Sequence, residues 1–150
     1  MNVITNTSAY ESIRKRILAL NENSTRQWGR MTVHQMLLHC IDALKMTIGE
    51  LQVADKSNFL TRTIVKKFAL GKSKFPKSTP TAPELVKTEV ETNAADIEKD
   101  KQILLAYIDK IKNASEKDFE VHPIFGKMNK IEYGTLIYKH LDHHLRQFGA

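Results

Sequence analysis

Four segments of this chain place apolar residues three or four positions apart, and each opens on a residue able to cap a helix. That recurrence is the strongest constraint on the fold. A period of about 3.6 residues gathers apolar side chains on one face of a helix, whereas a strand needs a period of about 2. The first segment carries Ile13, Ile17 and Leu20 behind Ser8, with Glu11 three residues on in capping-box register. Thr32 and Gln35 repeat the device at the head of an arc made by Val33, Met36, Leu37, Cys40, Ile41 and Leu44. Asn93 leads Ile97, Leu104, Tyr107, Ile108 and Ile111. Asn129 with Glu132 leads a run toward Phe148, which Gly149 stops.

The connections are uneven. Leu60, Ile64, Val65 and Phe68 predict a minor helix after the second segment. Beyond it, "KFPKSTPTAPEL" holds three prolines among Ser and Thr and reads as an ordered loop, with Phe75 and Leu85 seeking burial. "KTEVET" alternates and is the one candidate for extended chain. "ASEKDFEVHPIFGKM" joins the last two long helices. The expected fold is all-α, a single domain over residues 1–150. It is a four-helix bundle with a long ordered loop between helices 2 and 3.

Charge is local. Residues 56–77 carry seven basic side chains and no acidic one, and the remainder holds 16 basic against 17 acidic residues. This is a solvated basic loop or a site for an anion, with Lys66, Lys67, Lys72 and Lys74 as the candidate contacts. It lacks the interleaved aromatics of single-strand binders, which weighs against nucleic acid. The first 25 residues hold no uninterrupted apolar run. No stretch approaches the roughly 20 apolar residues of a membrane helix, so neither a signal peptide nor a membrane partner is expected. Cys40 is the single cysteine, which excludes an intramolecular disulfide and fits a reducing cytoplasm.

Three of the six histidines fall in "YKHLDHHLRQF". His140 and His144 lie on the apolar stripe of the last helix, one turn apart, where the pattern asks for leucine. Two buried imidazoles without partners would cost several kcal/mol. A divalent ion resolves that, because an i, i+4 pair brings both rings to one metal. Such a pair also occurs by chance, and a third ligand from another element would strengthen the metal reading; His34, His39 and His122 are the candidates. His34 and His39 lie about 140° apart on their helix and cannot share one axis. His34, in the first turn, is expected to be exposed. His39 sits at the edge of the apolar arc, and His122 precedes Pro123 in a loop that it either fixes or extends toward the site. His143 flanks the stripe as a supporting or surface residue, Asp142 points away, and Cys40 belongs to the core arc.

"MTVHQMLLHCIDALKM" and "YKHLDHHLRQFG" together resemble the DinB/YfiT-like superfamily of metal-binding four-helix bundles. "FPKSTPTAPEL" and "HPIFGKM" bring the chain closer to a bacterial branch of unknown function. The resemblance covers nearly the whole chain and implies that His39 joins His140 and His144 around a divalent ion, zinc or nickel. His143 and His122 would then stand behind the ligands. Some relatives in that superfamily activate a low-molecular-weight thiol and others have no established reaction, so the activity the resemblance implies is thiol S-transfer to a small electrophilic substrate. No carboxylate is spaced to serve as a base, which suits thiol transfer better than hydrolysis. The alternative is a non-catalytic bundle stapled by its metal. The resemblance also implies a homodimer.

Overall fold

A computed structural model of the chain describes residues 2–77, 85 and 93–150. Among these residues the regular structure is helical: α1 (Thr7–Leu18), α2 (Val33–Thr47), α3 (Lys66–Leu70), α4 (Ala94–Asn113) and α5 (Lys130–Gln147). A π-helical turn, Thr61–Val65, leads directly into α3, and a 3-10 turn, Glu116–Asp118, precedes the loop before α5. No strand occurs among the described residues, whose one β-type pairing is the isolated antiparallel bridge between His122 and Gly126. "KTEVET" and most of the proline-rich loop lie outside them.

Three of the four long helices start where their caps predict. Thr32 accepts the Gln35 N–H at 3.1 Å while Gln35 Oε1 takes the Thr32 N–H at 2.8 Å. Asn129 and Glu132 exchange the same pair of bonds, each 2.9 Å. Asn93 accepts the Asp96 N–H at 2.9 Å. α1 departs from expectation: Asn6 is its N-cap, without a side-chain bond, and the Ser8–Glu11 box does not start the helix. The cause lies upstream. Ile4 is fully buried and its N–H bonds the Gly134 carbonyl at 3.0 Å, which brings the chain into the helix before Ser8. Gly134 admits this approach, since a Cβ there would stand 2.5 Å from Val3 Cγ1.

The apolar stripes meet in one core. Ile13 and Ile17 from α1, Met36, Leu37 and Leu44 from α2, Leu104, Ile108 and Ile111 from α4, and Ile137 and Leu141 from α5 all pack there. α2 packs on α4 and α5, and α1 packs on α5 and α4. Lys101 on α4 is buried yet satisfied: its ammonium donates to the Leu18 and Leu20 carbonyls at 3.2 and 2.8 Å and pairs with Glu98. A cation at the C-terminal end of α1 also complements that helix's dipole. No helix among the described residues is long and apolar enough to cross a membrane.

Candidate metal centre

His39 lies in the middle of α2, and His140 and His144 lie one turn apart on α5, so the α2–α5 contact brings the three rings together. One nitrogen from each falls within 4.8 Å of the others. His39 Nε2 and His140 Nε2 are 3.0 Å apart. The His39 ring lies 5.0 Å from that of His140 and 4.7 Å from that of His144, with the His140–His144 pair also at 4.7 Å, all edge to face. For comparison, a tetrahedral ion with metal–nitrogen bonds of about 2.0–2.1 Å holds its nitrogens about 3.3 Å apart. The donor set is all imidazole, a set suited to zinc, copper, iron and nickel.

Neighbours fix two of the rings. His39 Nδ1 is 3.0 Å from the Leu85 carbonyl, which can only accept, so the proton sits on Nδ1 and Nε2 presents its lone pair to the cluster. His144 Nδ1 lies 2.9 Å from Gln147 Oε1, and the same amide donates from Nε2 to the Trp28 carbonyl at 3.0 Å. The second bond sets the amide's orientation, which in turn puts the proton on His144 Nδ1. Orientation of a ligand ring through its distal nitrogen is the usual support of a metal-binding histidine. Leu85, Gln147 and Trp28 are the parts that sequence reasoning missed. A backbone carbonyl has no sequence signature, whereas the i, i+3 spacing of His144 and Gln147 was available.

The cluster resists protons. Burial pushes the His140 imidazolium well below its ordinary pKa, and the facing rings of His144 and His39 push it further. His144 is pushed down to about 3, by burial first and then by His39. Both rings are therefore neutral at physiological pH, the form in which imidazole binds metal.

His143 is buried beside the cluster and its ring packs toward Trp28 and Phe75. Its ring meets Trp28 edge-on at 5.8 Å and lies 6.2 Å from Phe75. Lys77 stands over Trp28 and Lys139 over Phe75, 5.0 and 4.9 Å from the ring centroids. His143 adjoins His144, with ring centroids 5.0 Å apart, and so backs a ligand ring without joining the cluster.

His122 fixes its own loop: Nδ1 accepts the N–H groups of Ile124 and Phe125 at 3.1 and 3.2 Å, and its ring stacks on Phe125. Burial, with Lys66 nearby, pushes it down to about 4. His34, expected to be exposed, is 5% exposed, and its Nε2 lies 2.8 Å from Asp100 Oδ2 on α4. The first turn of α2 packs against α4, and a facing carboxylate satisfies a ring that the pattern on α2 alone would leave in water. Asp142 faces away from the cluster and pairs with Arg16 and Arg146, each at 2.8 Å. Cys40 is buried in the core, and burial raises its thiol pKa.

Of the lysines, Lys66 is engaged by Glu132 at 2.9 Å and by the Lys127 carbonyl at 2.9 Å, which removes it from the free cations. Lys67 and Lys72 border an open groove with Arg62 and Glu132, and Lys74 is exposed.

No curated protein and no solved structure matches the chain. A family model described as "Protein of unknown function (DUF1569)" matches residues 5–150. That span takes in α1 through α5 and the three clustered histidines, and the chain belongs to the DUF1569 family.

Proposed function

We propose that this chain is a divalent-metal protein with the four-helix-bundle architecture of the DinB/YfiT-like superfamily, and that His39, His140 and His144 are its metal ligands. The observation that carries the reading is the convergence of three imidazole nitrogens within 4.8 Å, drawn from two helices. Two of those rings carry their protons on the far nitrogen, toward Leu85 and Gln147. Three protein ligands leave a divalent ion an open position, the arrangement of catalytic rather than closed structural sites. An ion held there would supply Lewis acidity, able to lower the pKa of a thiol or a water at that position.

The chain's own residues favour a thiol. Among the described residues the cluster is built of imidazoles alone, with no carboxylate in it to act as a base. A thiol activated by its pKa needs no such base, whereas hydrolysis does. The reading is therefore a cytoplasmic S-transferase that joins a low-molecular-weight thiol to a small electrophile. Lys67, Lys72 and Lys74 are cations available to an anionic co-substrate.

Elemental analysis of purified wild type against His144→Ala and His39→Ala tests the ligand set. The wild type should carry about one equivalent of zinc or nickel, as a three-ligand mononuclear site requires, and each variant should lose it. Equal metal content in all three would end the reading. The rival, a metal that only staples α2 to α5, is separated by titrating a thiol into the cobalt form. A sulfur-to-metal charge-transfer band supports the open position, and an unchanged spectrum supports the staple.

A further inference from the structure

Residues 59–70 are helical without a break, through the π turn and α3, and they wear their apolar side outward. Phe59 is 83% exposed, Ile64 64% and Phe68 57%, with Leu60 and Val65 also in solvent. Leu60, Ile64 and Phe68 follow at four-residue spacing and so stack along one side of the helix. A surface helix ordinarily turns such a stripe to the body of the protein. Here polar anchors hold the opposite side down. Lys66 reaches Glu132, Lys139 donates to the carbonyls of Ala69 and Gly71, and Ala69 is buried. A contiguous apolar face held outward is the mark of a docking surface.

Charge selects the occupant. This face lies within residues 56–77, which carry seven cations and no anion, while the rest of the chain is close to neutral. Lys67, Lys72 and Lys74 are exposed beside it. A second copy docking through the same face would form an isologous contact, setting this basic segment against itself. An anionic bilayer surface satisfies both halves of the pattern: Phe and Leu side chains enter the boundary between headgroups and acyl chains, and lysines meet the headgroups. We propose that residues 59–70, with the lysines that flank them, dock this protein peripherally on a negatively charged lipid surface. The proposal is independent of the metal, and it concerns the surface of a bilayer rather than a crossing of it.

Flotation with phosphatidylcholine vesicles, with and without phosphatidylserine, tests it on the full chain. Wild type should float with the phosphatidylserine vesicles, stay behind with phosphatidylcholine alone, and lose binding as salt rises. Phe59→Ser/Phe68→Ser should weaken binding at least about tenfold, because both rings then leave the acyl boundary. Lys67→Gln/Lys72→Gln should weaken it and flatten the salt dependence. All four side chains are exposed, so melting temperatures should stay at the wild-type value and a folding defect would be visible. Absence of wild-type flotation at low salt overturns the proposal, as does undiminished binding of the phenylalanine variant. A lipid-free dimer that the phenylalanine variant abolishes would also overturn it, by assigning the face to a second copy.

Discussion

Gln147 does two jobs with one amide: it takes the His144 Nδ1 proton and it donates to the Trp28 carbonyl. Gln147→Leu keeps the volume but removes both bonds, so the ring loses its fixed tautomer and the carbonyl its donor. Loss of such a supporting partner costs metal affinity about 10–100-fold, to be measured by competition with a chromogenic chelator. Affinity equal to wild type would show that packing alone orients His144. The inward pair on α5 is legible in the sequence because two imidazoles stand where the apolar stripe asks for leucine. His39 is less so, since its helical angle leaves it at the edge of the arc, and only the resemblance chose it over His34 and His122 before α2 and α5 met. Its partner, the Leu85 carbonyl, is a backbone group and leaves no trace in residue type. His34 shows the converse error: a first-turn position reads as exposed until α4 sets Asp100 against it.

At the scale of elements, α5 presents two of the three clustered histidines and begins at a reciprocal cap. Asn129→Ala frees the Glu132 N–H and should cost about 1 kcal/mol of stability, read as a shift in urea midpoint without a change in slope. The loop before α5 makes a pH prediction. His122 is held at about 4 in the folded chain against 6.5 as its ordinary value. Between those values the unfolded chain takes up a proton that the folded chain refuses. Stability is therefore complete above pH 6.5 and falls as pH drops toward 4. His140, His143 and His144 are also held below their ordinary range and act in the same direction. His122→Gln should flatten the acid side of a plot of urea midpoint against pH, and an unchanged slope would remove His122 from the account. Caps and periodicity made α2, α4 and α5 legible because those signals are local. The start of α1 was not, since a buried Ile4 and a glycine 130 residues further on decide it. The short helix after α2 was predicted from its apolar spacing, but that spacing implied an inward stripe. The lysine anchors that turn it outward are long-range contacts no window of sequence contains.

Taken whole, the molecule gathers its ligands from positions far apart in the chain: His39 and His140 are separated by 101 residues. An ion on both would bind the folded state and find no preformed site in the unfolded one, so its binding free energy adds to folding stability. The gain follows the ratio of free metal to dissociation constant, about 4 kcal/mol at a thousandfold excess. Adding zinc or nickel to metal-free protein should therefore raise the melting temperature, and a chelator should reverse the rise. In His39→Ala the metal keeps only α5 ligands, one turn apart on a single helix, and no longer joins two elements. That variant should melt at one temperature with or without metal, while the exposed-face variant Phe59→Ser/Phe68→Ser should keep the full rise. Scanning calorimetry on the three proteins reads all of this directly. A rise in wild type that survives in His39→Ala would place the stabilising ion elsewhere. Loss of the rise in the exposed-face variant would mean that the short helix and the metal centre are energetically one unit.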